Sequence, residues 1–446
     1  MSEPYHCGPA AGKIRFIVIP LGIHSFKDKR VLLLQGPVGP FFARLAADLT
    51  AVDATVHKVN FHAGDALFYP RNAIAFNRPM NEWPAFFTAL LDRLQIDTVL
   101  LFGDCRKIHA QVHAIALSRG LEVGVFEEGY LRPRHITLER HGVNGHSALP
   151  RSPLFYLNQT EWPDVPEKDV GNTFWPMVWW GFWYFLAGAL GKPWFRHYQH
   201  HRKLSLLEAW PWLRSVWRKR WYQWRERHAM PTLLERWSGR YFVVPLQVHN
   251  DMQIEVHSEF VDVPSFIETV MRSFAEHAPD GTALVIKHHP LDRGYTDYGH
   301  RIAQWSQALG LQGRCFYIHD QHLPSLLDHA QGVVVVNSTV GLQALRHGTP
   351  TKALGAAVYN LQGLCFQGDL KDFWTSAPSA RPDPQLLVRF VRYLKNVNQI
   401  NGSFYRTMPA TGWQTGGVWP EMKPTATPPA TLNSPTQTPP AEQAAA

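Results

Sequence analysis

Residues 332–348, GVVVVNSTVGLQALRHG, decide the fold class of this chain. Four consecutive valines form an apolar run of the length of a buried strand, a polar turn follows, and apolar residues then recur at helical spacing. The segment from Arg30 to Leu49, RVLLLQGPVGPFFARLAADL, has the same order with a glycine-containing turn. A buried strand that runs through a turn into a helix is half of a β–α–β unit. Both segments therefore predict parallel sheets with helices on their faces.

The same alternation extends outward from both segments. In the N-terminal part, strands are predicted at 55–61, 97–104 and 121–129, and helices at 84–94 and 108–119. In the C-terminal part, strands are predicted at 240–247, 283–290 and 315–320, and helices at 265–278, 298–309, 323–330 and 385–395. This α/β alternation predicts two Rossmann-like halves facing a cleft, and ligands of such sheets bind beyond the carboxyl ends of the strands.

Composition divides the chain into four parts. We predict an N-terminal Rossmann-like domain at 1–171, a Trp-rich basic helical insertion at 172–237, a C-terminal Rossmann-like domain at 238–410 and a mostly disordered C-terminal segment at 411–446. Pro, Thr and Ala dominate the last segment, and such a composition supplies too few large apolar residues for a core. A chain of 446 residues with 45% hydrophobic residues is long and apolar enough for two domains.

Cysteine usage and the N-terminus indicate the compartment. The four cysteines, Cys7, Cys105, Cys315 and Cys365, lie far apart and form no Cys-x-x-Cys pair, which argues against a disulfide framework or a zinc knuckle. This pattern favours a reducing compartment. The first twenty residues lack a basic segment followed by a long apolar run, so we expect no secretory signal peptide and a cytoplasmic location.

Tryptophan and positive charge are concentrated in the insertion. Eleven of the seventeen tryptophans lie between Trp175 and Trp237, and residues 192–227 hold ten Lys and Arg against two Glu. Trp prefers the lipid headgroup region and basic residues attract anionic lipids, so we favour a helical element at an anionic membrane surface. A membrane-spanning helix over 174–191 and a buried insertion are the alternatives. Because no nucleic-acid module accompanies the basic segment, a nucleic-acid partner is not expected.

Polar residues follow the predicted strands at five places: Gln35-Gly36, Glu127-Glu128, Gln247 with Asp251, Lys287-His288-His289-Pro290, and Asn337-Ser338-Thr339. The last two suit a phosphate. A helix N-terminus after Asn337 offers free N–H groups, although Ser338 or Thr339 would also be an ordinary helix cap. Pro290 ends its strand and holds a histidine at the cleft, although loop histidines are common in a chain with 23 of them.

Carboxylates suit covalent or acid–base chemistry. Asp251 lies four residues after Gln247, just past a strand end, where a carboxylate can act as a nucleophile or a base. Glu127 and Glu128 end a strand of the other half, and at most one of them faces a given site because neighbouring strand residues point to opposite faces. Exposed loop acids and turn caps are the structural alternatives.

Four stretches carry a family resemblance: FEEGYLRPRHITLERHGVNGHS at 126–147, the Gln247–Asp251 spacing, KHHP at 287–290, and VVVVNSTVGLQALRHGTP at 333–350. Together they resemble the capsule polysaccharide biosynthesis proteins of the KpsS/LipB type, which are similar to the bacterial β-Kdo transferases. The resemblance covers roughly Val31 to Leu370. It implies a GT-B fold, with the N-terminal domain for the acceptor and the C-terminal domain for the nucleotide sugar. It also implies CMP-Kdo as donor and transfer, with retention, to the phosphatidylglycerol-type lipid anchor of a Gram-negative capsule.

The resemblance implies roles for individual positions. Asp251, four residues after Gln247, is the expected nucleophile, and Glu127 or Glu128 is the expected acid/base or acceptor-side carboxylate. The phosphate of CMP is expected at His289-Pro290 and Ser338-Thr339. A donor sugar that carries a carboxylate on its anomeric carbon also calls for positive or donor groups, for which the candidates are Lys287, His288 and Arg132.

No metal or cofactor is expected to be essential, because no Asp-x-Asp motif ends a strand and a monophosphate leaving group carries less charge than a diphosphate. The expected location is the inner face of the inner membrane, as a peripheral protein that can meet other capsule assembly proteins. A UDP-sugar GT-B transferase or epimerase is one alternative. Gln343 argues against it, because many such proteins carry a ribose-binding Glu at this position. A non-catalytic capsule assembly or export factor is the other.

Overall fold

A computed structural model describes residues 18–19, 22–159, 162–198, 209–406 and 421–422. Its strands are β1 (Val18–Ile19), β2 (Arg30–Leu33), β3 (Thr55–Asn60), β4 (Ala73–Ala75), β5 (Thr98–Phe102), β6 (Glu122–Glu128), β7 (His135–Arg140), β8 (Tyr241–Pro245), β9 (Ala283–Lys287), β10 (Cys315–Ile318), β11 (Gly332–Val335), β12 (Thr351–Ala353), β13 (Gln399–Asn401) and β14 (Glu421–Met422). The antiparallel pair β1–β14 is a unit of its own, and all the other strands belong to a second unit.

Helices cover both sheets of the second unit. They are α1 (Phe41–Thr50), α2 (Ala63–Phe68), α3 (Trp83–Leu94), α4 (Lys107–Ser118), α5 (Pro153–Asn158), α6 (Phe174–Leu190), α7 (Ala209–Arg225), α8 (Ala229–Arg236), α9 (Met252–His257), α10 (Val263–His277), α11 (Gly299–Ala308), α12 (Leu323–Asp328), α13 (Thr339–Arg346), α14 (Leu370–Ser376) and α15 (Pro384–Val397).

The first sheet has the order β13-β7-β6-β5-β2-β3-β4. Its five strands β2 to β6 are parallel and have the Rossmann order 3-2-1-4-5. β7 and β13 extend one edge in antiparallel pairs, with Gln399 opposite Thr137. The chain thus returns to the first sheet at β13, after it has built the second one.

The second sheet has the order β10-β9-β8-β11-β12, is parallel throughout and repeats the Rossmann order. Every residue of β8, β9 and β11 is buried, which is why these strands appear in the sequence as continuous apolar runs. The α/β, GT-B-like class with two Rossmann-like sheets is therefore confirmed, while the exact domain boundaries stay a prediction.

One hydrophobic core joins the two halves. The face of the second sheet that carries Val243 and Val333 packs against α13 and α15, and Tyr130, Leu131 and Tyr156 from the N-terminal half belong to the same cluster. Burial of these shared residues holds the strand ends of the two sheets at a fixed separation.

The Trp-rich segment forms helices that lie on both halves. α6 packs on α2, where the Tyr184 hydroxyl lies 2.6 Å from His62 Nε2. α7 packs on the second half through a polar stripe, in which Arg218 donates to the Arg293 carbonyl (2.9 Å) and Tyr222 donates to Asp297 (3.0 Å). No helix in the described part of the chain is long and apolar enough to cross a membrane. The tail predicted beyond Lys423 and residues 199–208 of the Trp-rich segment lie outside the described residues.

The strands and helices predicted from periodicity are found within a few residues of their expected bounds. Periodicity does not predict the strands of two or three residues, β1, β4, β12, β13 and β14, nor β7, which ends in Glu139 and Arg140.

Gly341 provides a test of helix packing in the second half. A Cβ atom there would lie 2.2 Å from the Tyr359 hydroxyl oxygen, whereas one at Gly181 of α6 would approach nothing closer than 3.7 Å. We expect Gly341→Ala to lower the free energy of unfolding by about 1–3 kcal/mol through overpacking. The matched change Gly181→Ala should be neutral or stabilising, by up to about 1 kcal/mol. Urea unfolding of both variants measures this, and equal effects would contradict the packing described for α13.

Candidate active site between the two sheets

The candidate site lies where the strand order reverses in each sheet. In the first sheet the reversal is between β2 and β5, and in the second it is between β8 and β11. Neighbouring parallel strands leave a crevice at this point beyond their carboxyl ends. The two crevices meet across the halves, as the 3.5 Å approach of Cys105 Sγ after β5 to His257 Nε2 of α9 shows.

Asp251 is held by two hydrogen bonds just beyond β8. Gln247 Nε2 donates to Asp251 Oδ2 (2.9 Å), and the backbone N–H of Gln253 donates to Oδ1 (3.0 Å). The second bond makes Asp251 the N-cap of α9, so the structural alternative and a chemical role coexist at this residue. Gln247 is buried, and its Oε1 has no hydrogen-bond partner among the described residues. The pair therefore presents a fixed carboxylate beside an acceptor atom that needs a donor.

Glu127 and Glu128 point to opposite faces of the first sheet, as expected for neighbours in a strand. Glu128 Oε1 accepts a hydrogen bond from the Tyr405 hydroxyl (3.0 Å). Glu127 Oε1 accepts from the Glu128 N–H (3.0 Å), and burial raises the pKa of Glu127 to about 7, against the opposing charges of Arg106 and Arg132. Glu127 is thus partly protonated near neutral pH.

Glu127 and Asp251 approach the same cysteine from opposite halves. Burial is the main cause that raises the pKa of the Cys105 thiol well above its usual range, and the charges of Asp104, Glu127 and Asp251 act in the same direction. The charges of these two carboxylates, one from each half of the chain, thus both act on Cys105.

Only one residue of Lys287-His288-His289-Pro290 remains available at the cleft. Lys287 Nζ donates to the His319 carbonyl (2.9 Å), and burial lowers its pKa. His288 is buried, with its Nδ1 2.7 Å from the Tyr317 hydroxyl, although its Nε2 has no partner in the described part of the chain. Pro290 is exposed. Lys287 and His288 therefore serve the internal packing of the second half.

His289 faces the other half. Its Nδ1 accepts a hydrogen bond from the Leu291 N–H (3.2 Å), which leaves the proton of the neutral ring on Nε2. Burial, followed by the charge of Arg132 from the first half, lowers the pKa of His289 to about 4. His289 is therefore a neutral N–H donor at physiological pH, close to an exposed guanidinium.

Asn337, Ser338 and Thr339 open α13 beside β11. Asn337 Nδ2 donates to the Gln253 carbonyl (2.8 Å), and its buried Oδ1 has no partner among the described residues. Ser338 Oγ accepts from the Val340 N–H (3.3 Å) and so caps the helix. Asn337 and Thr339 line a small crevice together with Tyr130 and Asn144 of the first half. The phosphate site predicted here is thus a helix N-terminus at the junction of the halves.

Gln35 and Gly36 share the hydrogen-bond donor Arg106, and Gly36 lines a pocket of the first half. Arg106 donates to Gln35 Oε1 (3.0 Å) and to the Gly36 carbonyl (3.3 Å). Gly36, with Lys58 and Asp65 among others, lines a small pocket that Tyr184 of α6 also lines. Both residues belong to the first half. Their hydrogen-bond donor, Arg106, carries a charge that lowers the pKa of Glu127 against the effect of burial.

The sequence analysis missed a cluster of residues in the cleft. Asp104, Cys105 and Arg106 follow β5 directly, and the polar run GDCR after an apolar strand was the available signal. His146 and His257 gave no such signal, because they lie in a short 3₁₀ turn and at the end of α9.

The chain is similar to proteins of capsule polysaccharide biosynthesis. The sequence profile of the family described as "Capsule polysaccharide biosynthesis protein" matches residues 97–405. The capsule polysaccharide export protein KpsS of Escherichia coli is 40% identical over 383 residues, which are 84% of this chain and 97% of that protein. The capsule polysaccharide modification protein LipB of Neisseria meningitidis serogroup B is 39% identical over 388 residues, 84% of this chain and 92% of that protein. The KpsC β-Kdo 2,7 transferase of Thermosulfurimonas dismutans superposes with a TM-score of 0.42 at 15% identity, over 86% of this chain and 94% of that chain.

The raised pKa of Glu127 predicts a pH dependence of stability. With a folded pKa of about 7, the stability that this group contributes is fully present below the ordinary pKa of a glutamate and is lost as the pH rises through 7. Glu127→Gln cannot ionise, so the variant should gain free energy of unfolding relative to the wild type between pH 5 and pH 8. Glu139, whose pKa burial also raises to about 7, is present in both proteins and cancels. Urea unfolding at the two pH values measures the difference, and a difference independent of pH would show that Glu127 is not protonated in the folded state.

Proposed function

The chain belongs to the capsule polysaccharide biosynthesis protein family, and from that premise we propose that it is a retaining β-Kdo glycosyltransferase. In this proposal it uses CMP-Kdo to start the Kdo linker on a phosphatidylglycerol-type lipid. The observation that carries the proposal is the pair of carboxylates at the cleft, Asp251 fixed by Gln247 from one half and partly protonated Glu127 from the other.

Asp251 is the proposed nucleophile. Retention requires two inversions at the anomeric carbon, and a carboxylate must hold the sugar covalently between them. The hydrogen bonds from Gln247 and Gln253 leave this carboxylate little freedom to rotate, which fixes the direction of attack. In the first step an Asp251 oxygen bonds to the anomeric carbon and CMP leaves with the electron pair of the broken bond.

Glu127 is the proposed acid/base for the second step. An acceptor hydroxyl must lose its proton when it attacks the sugar–Asp251 ester, and Asp251 leaves as a carboxylate. A group with a pKa near 7 both accepts and returns a proton at physiological pH, which suits Glu127. Glu128 has its carboxylate on Tyr405 and takes no part in this scheme.

The donor nucleotide is proposed to bind on the second half. The N–H groups that open α13 and the Nε2–H of His289 supply donors for one phosphate. The unpartnered buried oxygens of Gln247 and Asn337 suit hydroxyl donors of a sugar or a ribose. Arg132, whose charge acts on His289, supplies the positive charge that a sugar carboxylate needs. Lys287 Nζ already donates to the His319 carbonyl, and burial lowers the pKa of His288 to about 4, so that its ring is neutral. Together these groups do not form a typical set of metal ligands, and the proposed chemistry assigns no step to a metal or cofactor.

The location proposed for the protein is the inner face of the inner membrane. On α7 the usual helix polarity is reversed: Arg214, Arg218 and Tyr222 face the protein and bond to residues 293–297. A neighbouring stripe of the same helix is exposed and apolar, and consists of Trp210, Leu213, Trp217, Trp221 and Trp224. α6 adds Trp175, Trp179 and Phe182, each more than half exposed. Aromatic side chains flanked by exposed Lys219 and Arg220 fit the interface of an anionic bilayer, where the lipid acceptor would also reside.

Asp251→Asn tests the proposed nucleophile. Asn is as good a helix cap as Asp, so α9 should persist. We expect transfer to fall by on the order of 10³-fold or more while CMP affinity stays within a few-fold, because a nucleophile contributes mainly to the transition state. Transfer is measured by mass spectrometry of a phosphatidylglycerol-type acceptor incubated with CMP-Kdo.

His289→Ala is the control for Asp251→Asn, because it should affect CMP binding where Asp251→Asn affects turnover. Loss of one phosphate donor should weaken CMP binding by roughly tenfold.

Unchanged turnover in Asp251→Asn would contradict the assignment of Asp251 as the nucleophile. Calorimetry that detects UDP but not CMP would favour a UDP-sugar enzyme, and wild-type protein that shows neither binding nor transfer would favour a non-catalytic assembly factor.

Membrane binding should depend on the exposed stripe of α7. Replacement of Trp217, Trp221 and Trp224 by Ala should reduce binding to neutral and anionic liposomes alike, because it removes apolar burial. Replacement of Lys219 and Arg220 by Ser should reduce binding to anionic liposomes alone, by about 1 kcal/mol per charge.

The control for the liposome measurement exchanges exposed apolar residues elsewhere. Val261→Ala with Leu291→Ala changes side chains that are 84% and 50% exposed on the second half, and should leave liposome binding unchanged. Co-sedimentation measures all three proteins. If the Trp variant binds liposomes as the wild type does, the stripe is not a membrane surface.

A further inference from the structure

Three ligating side chains meet across the cleft outside the proposed chemistry. Cys105 and His146 come from the first half and His257 from the second, and one potential ligand atom of each lies within 4.8 Å of the others. Among the described residues this is the set of histidine, cysteine and acidic side chains whose geometry suits a metal ion. The three residues are about 40 and 110 positions apart in the chain, so only the fold brings them together.

We propose that Cys105, His146 and His257 bind one Zn²⁺ ion that links the two halves of the protein. A sulfur and two imidazole nitrogens are the ligand type that Zn²⁺ prefers, with a fourth position left for water. The proposal does not depend on the proposed transferase function, because metal binding is measured without substrate.

The distances fit this coordination. Zinc–sulfur and zinc–nitrogen bonds of about 2.3 and 2.0–2.1 Å at a tetrahedral angle separate the two ligand atoms by about 3.5–3.6 Å. Cys105 Sγ and His257 Nε2 are 3.5 Å apart. The rings of His146 and His257 are nearly perpendicular, with centroids 4.5 Å apart, so they do not stack in a way that would close the space between them.

A buried carboxylate supports one of the ligands. Asp104 Oδ2 lies 3.0 Å from His146 Nδ1 and also accepts a hydrogen bond from the Val143 N–H (3.2 Å). A carboxylate behind an imidazole orients the ring and leaves Nε2 for the metal, as in many zinc sites. The Asp104 side chain is 3% exposed, whereas that of His146 is 53% exposed, so the support is rigid while the ligand can be reached from solvent.

The ion would fix the part of the second half that carries Asp251. His257 ends α9 and Asp251 begins it, and the residue after His257 is bridged to Gly355. Binding of zinc by thiolate and imidazole, with release of the thiol proton to solvent, would therefore hold α9 against the β5 end of the first sheet. The role is one of positioning, since the ion need not touch the donor sugar.

Cobalt substitution tests the site directly. Full-length protein without an affinity tag, with Cys7 replaced by Ser, is stripped of metal and titrated anaerobically with Co²⁺, then with Zn²⁺. We expect one equivalent to bind, with a thiolate-to-cobalt charge-transfer band and the visible bands of a tetrahedral ion, and Zn²⁺ to displace it. The band should be absent in Cys105→Ser and present in the matched control Cys315→Ser.

Two further variants keep the test decisive if Cys105→Ser fails to fold. His146→Ala changes a half-exposed side chain and should abolish tight binding without loss of structure. Asp104→Asn should weaken Zn²⁺ binding by about 10–100-fold, the usual effect of a lost supporting carboxylate. Absence of stoichiometric metal in the wild type, or a charge-transfer band that survives in Cys105→Ser, would overturn the proposal and leave a hydrogen bond between the halves only.

Discussion

The position of Asp251 depends on a hydrogen bond from a residue that is itself fixed by the second sheet. Gln247 follows the buried strand β8 and donates to Asp251, which caps α9. Because the same carboxylate serves as a helix cap, its orientation is set before any ligand arrives. The second sheet thus delivers a rigid carboxylate, and the first sheet delivers a partly protonated one at Glu127, from strand ends that the shared core around Tyr130 holds together.

Each half also contributes its own polar groups to the rest of the site. The second half offers N–H donors, from His289 and from the start of α13, where a phosphate can be bound. The first half offers Arg132 and the separate pocket at Gly36, which lies next to α6. Tyr184 of α6 lines that pocket, so the helix with exposed Trp175 and Trp179 also forms part of its wall.

Much of this fold was predictable because its strands are buried on both faces. Runs such as those of β8 and β11 are continuous and apolar, and the polar residues after them marked Asp251 and Ser338 correctly as strand-end positions. The sequence could not show which of Lys287, His288 and His289 stays available, because that depends on the neighbouring strand β10 and its Tyr317. It also could not show that α7 turns Arg218 inward and Trp217 outward, since a mixed basic and aromatic helix has the same composition in either orientation. The approach of Cys105 to His257 joins residues from different halves, so the run GDCR marks Cys105 but nothing in the sequence marks its partner.

The most direct measurement is the mass of the protein after incubation with CMP-Kdo in the absence of acceptor. Peptide mass spectrometry under acidic quench should find one sugar residue attached to the peptide that contains Asp251, and none in Asp251→Asn. An attachment to another residue, or full turnover by wild-type protein and by Asp251→Asn alike with no attached sugar, would contradict the account of Asp251 as the nucleophile of this cleft.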